Sequence, residues 1–267
     1  MTVLDDNSNI YENSAVVVAH PDDEILWLSS ILAHVDKIIF CFKDFLKETS
    51  LGIARDKVIR EYPLSNVISL DIDEAGSFNT ADWNSPHKTS YGLEIIRDKF
   101  VRECYKNNYN NVSEKLRSLL AGTRNVFTHN PWGEYGHEDH IQVYRIIKAL
   151  QNEMDYDIWY SNYCSNRSMN LMLEYISGFS SNYISLPTDM SLAEKIAAIY
   201  KKHGCWTWYK DYQWFKEESL IRDTPSIDKR SYGHIFPINF IKVDFATTGT
   251  SPYFGKVLSN LLRRRRK

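Results

Sequence analysis

Short apolar runs alternate with amphipathic segments over roughly the first 160 residues. The runs are rich in β-branched residues and predict buried strands; they are AVVVA (15–19), DKIIFCF (36–42), NVISLDI (66–72), NVFTH (125–129) and DIWY (157–160). Apolar residues at helical spacing predict the intervening helices, over 24–35, 52–62, roughly 92–120 and 138–151. This alternation predicts a parallel sheet with helices on both faces, a Rossmann-like α/β fold.

Two parts of the chain depart from this alternation. Residues 73–91 are rich in Gly, Ser, Asn, Thr and Pro and show no period, which predicts a loop over one edge of the sheet. Loops of this length are often functional. Beyond residue 161 the pattern predicts one helix, over 189–203, followed by the aromatic stretch CWTWYKDYQWF at 205–215.

No internal repeat and no linker divides the sequence, so we predict a single domain over 1–267, with a polar leader (1–14) and a basic tail (263–267). The tail has two open interpretations. Its consecutive cations either form a solvated end or make a weak contact with an anionic membrane surface. The oligomeric state is left open.

Composition excludes several classes of protein. The 267 residues are 43% apolar and 25% charged, as in folded domains. With 32 Lys and Arg against 34 Asp and Glu, the net charge of -2 predicts no nucleic-acid partner. A mean hydropathy of -0.42 and the lack of any apolar run of roughly 18 residues argue against a membrane span. The first residues do not resemble a secretion signal, so we expect a cytoplasmic location.

Titratable residues cluster after two of the predicted strands. AHPDDE (19–24) follows the first strand, and a cation would relieve the repulsion among its carboxylates. YGHEDH (135–140) follows the fourth strand and opens a helix. Either cluster alone also suits a helix cap. However, parallel strands direct their carboxyl ends into one crevice, so the clusters together can supply two His and one Asp to one metal. That donor set, with an open fourth position, is typical of catalytic zinc.

The motifs AHPDDE and GHEDH, in this order and at this separation, resemble those of the PIG-L or LmbE-like family of metal-dependent de-N-acetylases. The resemblance covers about residues 15–205. It implies a zinc-dependent hydrolase that removes an N-acetyl group from an amino sugar, which is free or linked to a nucleotide, a lipid or a glycan. The products would be acetate and a free amine.

Matched residue by residue, the resemblance implies that His20, Asp23 and His140 are the metal ligands and that Asp22 is the general base. The metal would be Zn²⁺. The same ligands accept Fe²⁺, Co²⁺ or Mn²⁺, so the identity of the ion stays open.

The resemblance also assigns the remaining catalytic roles. His137 would polarise or protonate the tetrahedral intermediate, and Asp139 would orient the His137 imidazole and hold it charged. Tyr135 would stabilise the oxyanion, and Arg55 would contact the substrate.

Two further residues are candidates for substrate contact because of their positions. His129 ends the fourth strand, and Trp132 lies in the following loop, where an aromatic plane could stack on a sugar.

The chain also departs from the family pattern. Glu138 stands where many members have Pro, Ser29 and Ser30 replace a Gly pair, and the usual Ser-Gln near the final helix is absent.

Two rival functions remain open at this point. An Fe(II) oxygenase also uses two His and one carboxylate, but normally on a β scaffold and at closer spacing than His20 and Asp23. The other rival is a non-catalytic protein that binds glycans or membrane surfaces. Retention of every matched ligand and of Asp22 favours the enzyme.

Overall fold

The computed structural model describes residues 10–45, 50–176, 183–223 and 236–244. The strands are β1 (Ser14–Val18), β2 (Lys37–Phe45), β3 (Val67–Glu74), β4 (Lys88–Thr89), β5 (Gly92–Leu93), β6 (Asn125–Thr128), β7 (Asp157–Ser161), β8 (Tyr163–Ser165), β9 (Tyr183–Pro187), β10 (Glu217–Arg222) and β11 (Asn239–Ile241). The helices are α1 (Asp23–Trp27), α2 (Ser50–Glu61), α3 (Lys99–Leu119), α4 (Glu138–Met154), α5 (Met169–Ile176) and α6 (Met190–His203).

In the described part of the chain, seven strands form the central sheet in the order β3-β2-β1-β6-β7-β10-β9. The five strands from β3 to β7 are parallel, whereas β10 is antiparallel to both of its neighbours. The predicted α/β fold with a mostly parallel sheet is therefore confirmed, with an antiparallel edge that the sequence pattern did not predict.

The central strand β1 is buried on both faces, which explains why its sequence is an unbroken apolar run. Val16 and Val18 pack with residues of α1, α2 and α6 on one face. Ala15 and Val17 pack with residues of α3 and α4 on the other. Helices therefore cover both faces of the sheet, as predicted.

The first predicted helix is shorter than the pattern suggested, because α1 ends at Trp27 rather than near residue 35. Beyond it, the Ser29 hydroxyl donates to one carboxylate oxygen of Glu218 at 2.9 Å, and the Ser30 N–H donates to the other at 2.8 Å. These bonds to β10 replace the helical ones. Ser29 and Ser30 thus dock this segment onto the sheet.

The long helix predicted from residue 92 begins later, at Lys99. The Asp98 side chain caps it by accepting from the N–H groups of Phe100 and Val101. Residues 88–93 form the β4–β5 hairpin instead. After α6, residues 205–215 form an irregular stretch, here called the cap segment, which contacts α1.

Among the described residues, no helix combines the length and apolar character needed to cross a membrane. The predicted basic tail (263–267) and positions 1–9 of the polar leader lie outside the described residues.

Candidate metal centre and active site

The two titratable clusters meet at one edge of the sheet. They follow β1 and β6, which are adjacent parallel strands. A buried hydrogen bond of 2.8 Å from the Ala19 N–H to Nε2 of His129 ties the two strand ends together. As predicted, potential ligand atoms of His20, Asp23 and His140 come close, all within 4.8 Å of one another.

The turn after β1 depends on an unusual backbone conformation. Asp22 has a left-handed φ of 104°, a strained state for a residue with a side chain. Around it, the His20 N–H donates to the Asp23 carboxylate at 2.8 Å, and the Asp23 N–H donates to the His20 carbonyl at 3.2 Å. The turn therefore points the consecutive carboxylates of Asp22 and Asp23 in different directions, so that they contact different partners.

Asp23 lies between the two imidazoles. Its Oδ2 is 3.2 Å from Nδ1 of His20, and its Oδ1 is 3.2 Å from Nε2 of His140. The Trp27 indole N–H donates to Oδ1 at 3.1 Å and helps to hold the carboxylate in place. All three candidate ligands are buried.

The loop before α4 positions His140 through a residue that the sequence argument missed. Gly133, Glu134 and Gly136 all have positive φ, at 70°, 47° and 93°. A Cβ at Gly133 would lie 2.7 Å from the His137 carbonyl oxygen, so the loop requires glycine there. This folding buries the Glu134 carboxylate, whose Oε2 accepts from Nδ1 of His140 at 2.7 Å.

Glu134 also holds His129, whose Nδ1 lies 3.0 Å from the same Oε2. The chemical signal for this role was present in the sequence, as an acidic residue six positions before a candidate ligand. What the sequence did not show is the backbone path that turns this residue inward.

The residues present fit a divalent ion. His140 donates through Nδ1 to Glu134, and its buried Nε2 faces Oδ1 of Asp23 at 3.2 Å without a well-formed hydrogen bond. Two ligand atoms about 2.0–2.1 Å from one zinc ion, at tetrahedral angles, are roughly 3.3 Å apart. The separations on either side of Asp23 are 3.2 Å, close to that spacing, although they join the two imidazoles to different oxygens of Asp23.

The electrostatics of the cluster also favour a cation. Burial lowers the pKa of His20, but the charges and hydrogen bonds of Glu74, Asp139 and Asp23 outweigh burial and leave it well above its usual value. Burial likewise opposes charge on His140, yet Asp23 and Glu134 raise its pKa to about 9. Without an ion, protons therefore compensate the carboxylates. A divalent ion would compete with those protons for the imidazoles.

The second carboxylate of the turn, Asp22, points to the cap segment. Its Oδ2 accepts from the Thr207 N–H at 3.1 Å and from the Thr207 hydroxyl at 2.6 Å. Burial and the neighbouring Asp23 charge raise the pKa of Asp22 to about 6, while the Arg55 charge and Thr207 oppose the rise. Arg55 is itself only 2% exposed and donates to the Lys43 carbonyl, so its contact with a substrate stays a prediction.

His137 caps the start of α4. Its Nδ1 accepts from the Asp139 N–H at 3.1 Å. Its ring stacks on His140 and on Phe78, with 4.9 Å between ring centroids in both pairs. Burial and the nearby His140 and His20 cations hold the pKa of His137 well below its usual value.

The predicted role of Asp139 needs correction. Its carboxylate does not hold His137 charged, because Oδ1 accepts from the Ser77 hydroxyl at 2.7 Å and Oδ2 lies 3.3 Å from Nε2 of His20. Asp139 contacts His137 through its backbone N–H instead. This arrangement favours a neutral His137 ring with its proton on Nε2.

Two predicted substrate contacts lie in the interior. Trp132 is 0% exposed, donates its indole N–H to the Tyr163 carbonyl at 2.7 Å and stacks on Phe236. Both ring nitrogens of His129 are engaged within the protein, as described above. This packing leaves neither side chain a face for a sugar. Tyr135, in contrast, lies at the centre, with its ring 5.2 Å from that of His140.

Glu138, in the second motif, organises the loop after β3. Its buried carboxylate accepts from the N–H groups of Thr80 and Ala81 at 3.0 Å and from the Trp83 indole. This places the predicted 73–91 loop against the site, where Phe78 and Ser77 contact the second motif.

Arg167 is a further residue that the sequence argument missed. Its guanidinium lies 5.3 Å from the centroid of the Phe78 ring and 4.6 Å from that of Trp83. The connection between β8 and α5 therefore brings the Arg167 cation to the loop side of the site.

No family model and no curated protein matches the chain. Solved structures share its fold. A deacetylase of the teicoplanin biosynthesis pathway, in complex with bog, aligns with a TM-score of 0.53 at 11% identity, over 80% of this chain and 99% of that one. The zinc-inhibited form of teicoplanin deacetylase Orf2 aligns with a TM-score of 0.50 at 10% identity, over 80% and 99%. The expected resemblance is thus confirmed at the level of the fold.

Proposed function

We propose that this chain is a metal-dependent hydrolase that removes an N-acetyl group from an amino sugar. The observation that carries the proposal is the placement of Asp23 between His20 and His140, with a second buried carboxylate, Asp22, next to it. Two solved structures of the same fold are of deacetylases, which supports the reaction class.

His20, Asp23 and His140 would hold the ion. A divalent metal supplies Lewis-acid activation of a carbonyl and lowers the pKa of a water molecule to about 7. Zn²⁺, Fe²⁺, Co²⁺ and Mn²⁺ all suit these ligands. Because one fold relative is a zinc-inhibited form, the activating ion has to be identified by experiment.

Asp22 would act as the general base. Among the described residues, hydrogen bonds reach only its Oδ2, which leaves Oδ1 for the attacking water. Asp22 takes a proton as the water oxygen bonds to the amide carbon. It then returns that proton to the nitrogen as the C–N bond breaks, which releases acetate and a free amine.

His137 would act as a hydrogen-bond donor. Because its Nδ1 accepts from the Asp139 N–H, a neutral ring carries its proton on Nε2, and that N–H donates to the developing oxyanion. Tyr135 would supply a second donor. Removing one donor of this kind typically costs about 2.7–4 kcal/mol of barrier. This role replaces the charged acid expected from the sequence.

The substrate assignment is coarser than the reaction. An acetyl group is small, so substrate selectivity has to come from the sugar and its carrier. Arg55, the 73–91 loop and the cap segment would contact these parts of the substrate. Nucleotide, lipid and glycan carriers all remain candidates. The cytoplasmic location and the contact of the basic tail with membranes stay predictions.

An acetate-release screen tests the function. Purified protein is incubated with N-acetylhexosamines in free, nucleotide-linked, lipid-linked and oligosaccharide forms. We expect release from at least one, its loss with a chelator and its recovery with one divalent ion. Cleavage of only non-sugar amides would reject the substrate class. Glycan binding without hydrolysis under any metal would establish the non-catalytic alternative.

The mostly parallel sheet already disfavours the oxygenase, whose ligands normally lie on a β scaffold.

A further inference from the structure

Thr207 bonds twice to one oxygen of Asp22. Its N–H and its hydroxyl both donate to Oδ2, at 3.1 and 2.6 Å, although the two residues are 185 positions apart. Thr207 belongs to neither sequence motif, and it lies beyond the helix that ends the family resemblance.

The cap segment fixes Thr207 at both ends. Before it, Gly204 ends α6 in a left-handed conformation, with φ of 73°, and turns the chain back toward the site. After it, the Trp214 indole N–H donates to the Ile25 carbonyl at 2.5 Å. Between these points, the Trp208 ring packs edge-on against Trp27, 5.3 Å away. Thr207 is therefore held against the α1 turn rather than on a free loop.

A carboxylate needs such support to act as a base. Rotation about the last torsion of an Asp side chain is broad, because that bond joins an sp³ and an sp² atom. Two donors on one oxygen stop this rotation and leave the other oxygen in a constant position. A displacement of about 1 Å at a reacting group can lower a rate by about 10²-fold.

We propose that Thr207 is the positioning residue of the general base, and this inference rests on the proposed function. The strand ends hold the candidate ligands, whereas the cap segment orients the base. The catalytic arrangement is then complete only when the cap segment is docked on α1.

The test compares Thr207→Val, which loses the hydroxyl at nearly constant volume, with Thr207→Ser, which keeps it. Thr188→Val is the matched control, because the Thr188 hydroxyl donates to the Phe215 carbonyl at the end of the cap segment and does not touch Asp22. For each variant, kcat, KM, metal content and the unfolding midpoint are measured on the substrate found in the acetate-release screen.

We expect Thr207→Val to lower kcat by at least about tenfold, a part of the roughly 10²–10⁴-fold that a positioned base contributes, with KM and metal content unchanged. Thr207→Ser and Thr188→Val should keep near-wild-type kcat. Should Thr207→Val fail to fold, Thr207→Cys replaces it, since a thiol is a weaker donor.

The outcomes separate the two hypotheses. Wild-type kcat in Thr207→Val, or an equal loss in Thr188→Val, would overturn the role of Thr207 while the proposed function stands. A wild-type protein that hydrolyses no amide with any metal would overturn the proposed function and the positioning role together.

Discussion

Oε2 of Glu134 accepts from Nδ1 of His140 at 2.7 Å, and it lies 3.0 Å from Nδ1 of His129. The first bond selects the nitrogen that His140 presents to Asp23. Outer partners of this kind orient ligand imidazoles and raise their basicity. Glu134 is therefore part of the candidate metal centre, because it holds the imidazole of His140 in place.

Replacing Glu134 with Gln should weaken metal binding by roughly 10- to 100-fold, the usual effect of losing a partner behind a ligand. The neutral amide is a weaker acceptor for the imidazole N–H groups, and its NH₂ group has to face a donor. Competition with a chromophoric chelator measures the affinity. Glu153→Gln, at an exposed position paired with Arg117, is the control. Equal affinity in both variants would contradict the role of Glu134.

The two adjacent carboxylates should behave differently when neutralised. Asp23→Asn should lose most metal affinity, because Asp23 lies between the imidazoles. Asp22→Asn should keep the metal and lose on the order of 10²–10⁴-fold in turnover. Metal analysis and kcat on the same preparations decide the matter. Near-wild-type turnover in Asp22→Asn would show that Asp22 is not the base.

Trp132→Phe should affect stability and not substrate binding. The substitution removes the indole bond to the Tyr163 carbonyl, which still accepts from the Asn130 amide at 2.8 Å. We expect a loss of about 0.5–1.5 kcal/mol in the free energy of unfolding, measured with urea, and an unchanged KM. A raised KM at full stability would restore the predicted stacking role.

Glu218 should make stability depend on pH. Burial raises its pKa above the ordinary value, although hydrogen bonds from Ser30, Ser29 and Tyr163 oppose the rise. Its contribution to stability is then fully present below the pKa of the unfolded state, and it is lost as pH rises through the higher folded value.

Glu218→Gln removes this titration. The free energy of unfolding of the variant, relative to wild type, should therefore increase as the pH rises above about 4 and through the raised pKa of folded Glu218, since Glu titrates near 4.3 when exposed. Urea unfolding at several pH values measures the difference. A constant difference across this range would contradict the raised pKa.

The sequence pattern predicted the parts of the fold that depend on local periodicity. The apolar run of β1 reflects burial on both faces, so it predicted the strand within one residue at each end. The same local rule predicted too long a helix after Asp23, because the serines beyond Trp27 bond to Glu218, almost 190 positions away. No window of neighbouring residues contains that partner.

Some residues of the candidate site could likewise be predicted from the sequence, and others could not. His20, Asp23 and His140 could be found because topology alone brings two strand ends together. Glu134 and Thr207 could not, since their contacts depend on left-handed turns at Gly133 and Gly204. The role of Asp139 was misjudged because the sequence did not show that Ser77 would occupy its carboxylate.

The adjacency of β1 and β6 has a mechanical consequence. His20 and Asp139, in the two motifs that meet at these strand ends, are 119 positions apart. An ion held by His20, Asp23 and His140 would cross-link almost half of the chain into one closed loop, and loop-closing links of this length act strongly on the entropy of the unfolded state. A ligand that binds only the native form stabilises it by mass action. Titration with a chelator would therefore lower the melting temperature along with the activity. The bound ion would then stabilise the fold as well as take part in the chemistry.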